Sequence, residues 1–485
     1  MALSRTYIPK LNPEFIARSL HLVIPGNQNR SNQPFSFVTT DSRHARPGCL
    51  FVALKGDKMD GHDYIDIAIS QGARGVLCKR GTPIKDTSEI SLFPVEDSLN
   101  AYRRLAAAWR KEFSVPMVAV AGSVGKTTTK EMLAALLRGK FDRILKTEGS
   151  QNGFIGIPMT LLGLTPEHQV AVVEVGIDEP DAMAQHIALV HPTHALLTTI
   201  SEEHLERLRD IPTVAHEEGE ALRLTAHLGG TAIINMDDAW IRPHHQTLRV
   251  GKQVLFSLNT TGLQGITSSE KTQTLQGSFS EASNELTVRG MQVGELVLKL
   301  PLIGRHNALN LLAAVSAAAA LGLSGEEIKK GLATFQGAYG RSELQQAGKS
   351  PVLCDYYNAN PSSMKAGLES LAHLAKGAPR WACLGDMLEL GPAENDYHRN
   401  LADPIMELGI ENVLLYGERM KVLFDELSKR GFAGQAKHFD THEALAESLK
   451  KEAQAGHPIL IKGSRSMKME EVWKILEPYA KSHWA

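Results

Sequence analysis

Residues 115–137, reading VPMVAVAGSVGKTTTKEMLAALL, constrain this chain more than any other stretch. The apolar run Val118, Ala119, Val120 and Ala121 predicts a buried strand, and Met132, Leu133, Leu136 and Leu137 predict a helix. Between them lies the loop Gly122-Ser123-Val124-Gly125-Lys126-Thr127-Thr128. Strand, glycine loop and helix in that order suit a phosphate cradle. Successive backbone N–H groups and the helix N-terminus point at the anion, Lys126 adds positive charge, and Thr127 can ligate Mg²⁺. The full P-loop spacing would put a further glycine where Val120 stands, so only the shorter G-x-x-G-K-T is present. A plain strand-to-helix turn with a surface lysine is the competing reading.

A chain of 485 residues is too long for one core, and about two to four domains are expected. A formal net charge of −2 gives no electrostatic case for binding nucleic acid or a membrane surface. The four cysteines (Cys49, Cys78, Cys354, Cys383) are scattered without a CxxC pair, which argues against a disulfide framework or a zinc site. The N-terminus lacks the apolar core of a signal peptide, and the most apolar later stretch, 308–323, is too short to span a bilayer. A cytoplasmic protein without membrane insertion is the expectation.

Residues 1–96 read as an N-terminal α/β unit. Residues 35–43 (FSFVTTDSR) alternate like a strand, 49–54 (CLFVAL) form an apolar strand, and Ile65, Ala68 and Ile69 share a helical face. The loop groups Ser42, Arg43, Asp60 and His62 suit ordinary turns, and Arg43 beside a serine equally suits a phosphate of a nucleotide-linked substrate. From 97 to 337 strands and helices alternate, which predicts a parallel sheet with helices on both faces. Strands are expected at 171–178, 194–205 and 231–238, a β-rich excursion at 251–302, and a long helix at 304–323. Residues 338–485 repeat the alternation and suit a small doubly wound, Rossmann-like domain, with Ser362 and Ser363 near a helix N-cap.

Several polar residues stand where chemistry is expected. Glu174 lies among valines, where a carboxylate is costly unless paired; it suits a Mg²⁺ ligand or a solvent-facing edge position. His204, just past a predicted strand, suits a metal site or a helix cap. Asn307 and Asn310, three apart on a helix, can read the edge of adenine or cap the helix. Asp355 suits a ribose hydroxyl or an Asx turn. Arg341, Lys462 and Arg465 suit phosphates and carboxylates, or plain solvation.

Taken together these stretches resemble the Mur ligase family along nearly the whole chain. TTDSRHARPGCLFVALKGDKMDGHDY looks like the N-terminal substrate domain, and AGSVGKTTTKEM looks like the family ATP loop with its short spacing. NGFIGIPMTLL, EVGID, TTISEEHLE and GRHNALNLLAA follow in family order, and DYYNANPSSM, LGDMLELG and IKGSRSM mark the branch adding a terminal dipeptide. The resemblance implies three domains: 1–96 binding a UDP-linked substrate, 97–337 binding ATP on a parallel-sheet P-loop scaffold, and 338–485 a Rossmann-like ligase domain. It implies a monomeric, ATP-dependent acid–amino-acid ligase of peptidoglycan precursor synthesis, joining D-alanyl-D-alanine to UDP-N-acetylmuramoyl-tripeptide through an acyl phosphate.

By the same resemblance Lys126, Glu174 and His204 carry catalysis, Thr127 and Glu174 hold Mg²⁺ on the β/γ-phosphates, and His204 helps hold a second ion near the acyl phosphate. Asn307 and Asn310 face adenine, while Arg341 and Asp355 serve the nucleotide. Asn152, Asn358, Asn360, Lys462 and Arg465 bind substrate, and Ser42, Arg43, Asp60 and His62 map to the UDP pocket. Two departures stand out. Ser150-Gln151-Asn152-Gly153 replaces an Asn-x-Asn-Asn run, so only Asn152 carries over, and Glu218 stands where many relatives carry a carbamylated lysine. A glutamate offers the carbamate's anion with less reach, which makes Glu218 a candidate Mg²⁺ ligand; a surface helix glutamate is the alternative. A folylpolyglutamate-type synthetase, a relative adding a single amino acid, and an ATP-hydrolysing regulator are the rival functions.

Overall fold

The computed structural model describes residues 9–23, 32–85, 89–248, 250–375 and 377–481. It divides the chain into two units, Met1–Ala119 with Phe141–Val175 and Ala184–Thr193, and Val120–Lys140 with Gly176–Met183 and His194–Ala485.

The first unit carries a parallel four-stranded sheet, ordered Val38–Thr39, Leu50–Val52, Gly75–Lys79 and Ser91–Val95. Its core joins Phe51, Val76 and Cys78 to Ile65 and Ala68 of the helix Ile65–Ser70. The strand expected over 35–43 shortens to Val38–Thr39 because Asp41 diverts the backbone. Its carboxylate accepts the Arg43 N–H at 2.9 Å and starts the 3-10 turn Ser42–His44. The helix Ser98–Arg110 is capped by Asp97, which accepts from Asn100 N–H, and it buries Tyr102, Leu105 and Trp109. Burying each such side chain contributes about 1.5–3 kcal/mol. A parallel pair, Ile144–Lys146 with Val170–Glu174, completes this unit. The strand expected to run to 178 stops at Glu174.

In the second unit His194–Leu197, Thr231–Asn235, Lys252–Ser257 and Thr272–Ser280 pair in parallel, one beside the next. Glu285–Gly290 and Gly294–Lys299 then extend the sheet antiparallel, which is the β-rich excursion. The strand expected over 194–205 ends at Leu197, because the backbone that follows is bound to the glycine loop. Ser123 N–H donates to Thr199 O at 2.7 Å, and the Thr198 hydroxyl lies 2.6 Å from Val124 O. His204 therefore sits well beyond the strand, with left-handed φ of 49°, at the start of the helix Leu205–Leu208. The apolar stretch 308–323 lies in the buried helix Arg305–Ala320, packed on the helix Lys126–Leu137. Among the described residues no helix is long and apolar enough to cross a membrane.

A six-stranded sheet holds the rest, ordered Glu343–Ala347, Ser350–Asp355, Ile459–Lys462, Trp381–Gly385, Asn412–Tyr416 and Gln435–Phe439. Only the first strand is antiparallel. The last strand in sequence inserts between two earlier ones, so Asp355, Gly385 and Lys462 end neighbouring parallel strands at one edge. That edge is where open α/β sheets bind ligands.

Candidate active site

The glycine loop is built by close approach. Gly122 and Gly125 have φ of 115° and 90°, a region that a side chain disfavours. A Cβ on Gly122 would stand 2.4 Å from Thr198 Oγ1, and one on Gly125 would stand 2.3 Å from Asn310 Oδ1. Val120 is fully buried in the strand Met117–Ala121, so the loop makes its turn without the missing glycine.

Lys126, the first residue of its helix, folds back over this loop. Its Nζ donates to the Gly122 carbonyl, to Ser123 O at 3.4 Å and to Glu203 Oε2 at 3.2 Å. Glu218, 0% exposed on the helix Ile211–His227, accepts the Gly122 N–H through Oε2 at 2.7 Å. Burial pushes the Glu218 carboxyl up to about 8; Lys126 opposes this and Glu203 adds to it. Glu203 Oε1, Glu218 Oε1 and Ser123 Oγ are buried with no hydrogen-bond partner among the described residues. Two buried carboxylates face one lysine, so a shared proton or a further cation is what balances them.

Two clefts open from this loop. One, of about 550 Å³, is lined by Ser123, Gly125, Thr128, His306, Asn307, Asn310, Arg341, Asp355, Asn358, Asn360 and Lys462, among others. The other, of about 630 Å³, takes Glu202, Glu203, His204, Glu389, Ser464 and Arg465. Ser123 and Asn358 to Asn360 line both. The wall between them is therefore a loop at the end of the strand Ser350–Asp355.

Inside the first cleft the predicted groups hold one another. Asn310 Nδ2 donates to Asn307 Oδ1 at 3.3 Å, Asn307 Nδ2 donates to Ile303 O at 2.8 Å, and Asn310 Oδ1 accepts from Thr129 Oγ1 at 3.3 Å. Lys462, 2% exposed, donates to Asp355 Oδ2 at 2.5 Å and to Asn358 O at 3.0 Å. Burial lowers its pKa although Asp355 opposes the shift. Asp355 also accepts the Ser342 N–H at 2.9 Å. Burial takes His306 down to about 4, so it is neutral there. Asn360 caps the helix Pro361–Ala375, with Ser362 and Ser363 in its first turn, near the N-cap as expected. Its Oδ1 accepts from Ser363 N–H at 2.9 Å, the Ser363 hydroxyl accepts from Asn360 N–H, and Asn360 Nδ2 reaches Glu202 O at 3.0 Å.

In the second cleft His204 Nδ1 lies 2.5 Å from Glu389 Oε2. Burial alone would lower the imidazole pKa, but the Glu389 hydrogen bond and the charges of Glu203 and Glu389 outweigh it and hold it above its ordinary value. Ser464 Oγ accepts the Leu388 N–H at 2.9 Å and reaches Ala359 O at 3.2 Å, tying three loops together.

In the first unit, Asn152 Nδ2 donates to Glu174 Oε1 at 2.8 Å, and Glu174 is 1% exposed. A third cleft, of about 940 Å³, is lined by Lys55, Asp60, His62, Asp63, Asp66, Lys79 and Thr82, among others. His62 Nδ1 lies 2.6 Å from Asp60 Oδ1, and Nε2 accepts the Lys79 N–H at 3.0 Å, so this pair also fixes the end of the strand Gly75–Lys79. Ser42 and Arg43 lie outside that lining; Arg43 is 81% exposed and pairs with Asp41 at 2.6 Å.

Sequence reasoning singled out neither Glu203, Glu389, Ser464 nor Tyr357. All four lie in motifs already noted, TTISEEHLE, LGDMLELG, IKGSRSM and DYYNANPSSM. Their importance comes from partners remote in sequence, which no local pattern encodes.

Residues 120–318 match the model of the Mur ligase middle domain, 340–465 that of the Mur ligase, glutamate ligase domain, and 34–139 that of the Mur ligase family, catalytic domain. The chain is 35% identical over 466 residues to UDP-N-acetylmuramoyl-tripeptide–D-alanyl-D-alanine ligase of Escherichia coli K12, covering 94% of this chain and 96% of that one. It is 34% identical over 434 residues to the protein of the same name from Synechocystis, covering 89% of each. A crystal structure of MurF from Acinetobacter baumannii superposes with a TM-score of 0.82 at 28% identity, over 97% of this chain and 99% of that one. MurF from Thermotoga maritima in complex with ADP shares the fold at a TM-score of 0.75 and 24% identity, over 92% and 98%. The expected three-domain α/β fold with parallel sheets is thereby borne out.

Proposed function

The chain belongs to the Mur ligase family, and from that premise we infer that it joins D-alanyl-D-alanine to UDP-N-acetylmuramoyl-tripeptide, driven by ATP, in the cytoplasm. One observation supports this most. The glycine loop and the Asn358–Asn360 wall each line both clefts, so a phosphoryl group held by the loop faces the cavity that an acceptor would enter. The proposed divisions are 1–96 for the UDP-linked substrate, 97–337 for ATP and 338–485 for ligation.

A carboxylate oxygen of the tripeptide attacks the γ-phosphorus, the bond to the bridging oxygen breaks, and ADP leaves. The dipeptide amine then attacks the acyl-phosphate carbonyl and loses a proton, and the tetrahedral centre expels phosphate. Two anions must meet in the first step, so charge neutralisation is the main demand. Lys126, already aimed along the loop, is the cation for it. The ammonium groups of Lys55 and Lys79 suit the diphosphate of the UDP portion, beside the Asp60–His62 pair.

Among the described residues no three or more His, Cys, Asp or Glu side chains form a ready metal cage. Mg²⁺ in nucleotide sites is held largely by phosphates and water with one or two protein ligands. The unpartnered oxygens of Glu203 and Glu218 beside Lys126 suit such an additional cation. On the resemblance, Thr127 and Glu174 are proposed for an ion at the β/γ-phosphates and His204 for a second ion near the acyl phosphate. Glu218 is proposed as the carboxylate that ligates or orients Mg²⁺ in place of the carbamate. Mg²⁺ would neutralise phosphate oxygens.

Phosphate release is the test. It is expected to require ATP, D-alanyl-D-alanine and a UDP-linked tripeptide, with lysine and meso-diaminopimelate at the third position compared side by side. Release that ignores the dipeptide, or that follows folate and glutamate, would overturn the reading. Glu218→Ala is expected to lose about tenfold to a hundredfold in activity at limiting Mg²⁺, the range seen when groups around a metal are removed. Full activity of that variant at limiting Mg²⁺ would remove Glu218 from the site.

A further inference from the structure

Arg341 is held in an unusual way. Its Nε is buried with no hydrogen-bond partner among the described residues, yet its guanidinium lies 4.2 Å from the centroid of the Tyr357 ring. The Arg465 guanidinium lies over the same ring at 5.6 Å, with one nitrogen on Glu470 at 2.7 Å. Both distances fall within the roughly 6 Å reach of a cation–π contact. Arg341 lines the first cleft and Arg465 the second. Tyr357 directly precedes Asn358–Asn360, the wall the clefts share.

The chemistry of this contact differs from that of an ion pair. A carboxylate would neutralise a guanidinium and occupy its in-plane N–H donors. An aromatic face orients the planar Arg341 cation and leaves its edge donors for an anionic ligand, whereas Arg465 gives one nitrogen to Glu470 and keeps the others. One ring contacting two arginines ties the position of a cation in one cleft to that in the other.

We propose that Tyr357 is a positioning residue that holds Arg341 for the nucleotide phosphates and Arg465 for the carboxylate of the incoming dipeptide. The proposal rests on the ligase reading above. Its ligands are a polyphosphate on one side and a free carboxylate on the other, both of which match guanidinium forks.

The test compares full-length wild type with Tyr357→Phe and Tyr357→Leu. KM is measured separately for ATP, D-alanyl-D-alanine and UDP-tripeptide, and ADP affinity is measured by calorimetry without turnover. Leucine is expected to raise KM for ATP by about three- to tenfold, the loss of the half-buried cation–π contact to Arg341. It is expected to raise KM for the dipeptide by about two- to fivefold, the smaller value of the exposed contact to Arg465. KM for UDP-tripeptide should stay within about twofold in the same variant, and phenylalanine, which keeps the ring, should restore all three. Equal increases in all three KM values for leucine, or none, would overturn the proposal, as would phenylalanine behaving like leucine. If the wild type proves not to ligate, the ligase reading fails by that result. ADP binding by the leucine variant then still decides the Arg341 half, with unchanged affinity overturning it.

Discussion

Lys126→Ala is expected to lower the ligation rate by roughly 10³-fold, the scale of removing a preorganised charge from developing negative charge. The structure gives two reasons for so large an effect. Nζ is mostly buried and tethered to the Gly122 and Ser123 carbonyls, so it stands preorganised at the loop without needing reorientation from solvent. It is also the cation beside Glu203 and Glu218, and its loss leaves only a proton to balance the two carboxyls. Burial already raises Glu218; without Lys126 the carboxyl should hold its proton to still higher pH. Single-turnover phosphate release at saturating Mg²⁺ is the measurement, with Lys126→Arg beside it to ask whether charge without the compact ammonium suffices. A rate within tenfold of wild type for the alanine variant would show that Lys126 is not the neutralising charge.

The second large effect concerns stability. Asp355→Ala should destabilise the six-stranded sheet by about 3–5 kcal/mol, the cost of leaving one member of a buried ion pair alone. Lys462 is 2% exposed and keeps only carbonyl acceptors once the carboxylate is gone, and the Ser342 N–H loses its acceptor as well. Hydrogen exchange of amides in Ser350–Asp355 and Ile459–Lys462 reads the loss locally. The pH dependence has a definite sign. Burial holds the folded-state pKa of Lys462 below the ordinary lysine value, so over the window between them the unfolded chain binds more protons. Stability from this group therefore increases with pH up to about 10.4 and is lost as pH falls through the depressed folded value. The variant should show this slope more strongly, because the counter-charge that opposes the shift is missing. Asp355→Ala with Lys462→Met should recover much of the loss, since the buried charge is then gone too. A deficit below about 1 kcal/mol for the single variant would mean that water reaches Lys462 once the carboxylate leaves.

Local chemistry is what the sequence carried well. Val118 to Thr128 specifies a strand, a tight loop and a helix through apolar burial, glycine and a helix start, and each appears in place. The alternation of strands and helices specified parallel sheets for the same reason, because neighbouring residues alone set those periods. Where the expectation overran, a distant partner intervened. The strand at 194–205 stops at Leu197 because Thr198 and Thr199 bind the glycine loop. Ser363 stands near the N-cap as expected, but the cap itself is Asn360, whose side-chain amide also reaches Glu202 O across the chain.

The sequence by itself determined the glycine loop, the α/β class and the family. Each of these is written in contiguous residues whose spacing the backbone period enforces. Only the tertiary structure decided what those residues do to one another. It set Glu203 and Glu218 against Lys126, Glu389 against His204, Lys462 against Asp355 in a dry interior, and Tyr357 under two arginines. Such pairs join positions far apart in the chain. Their strength comes from burial and distance, and both exist only once the chain has folded.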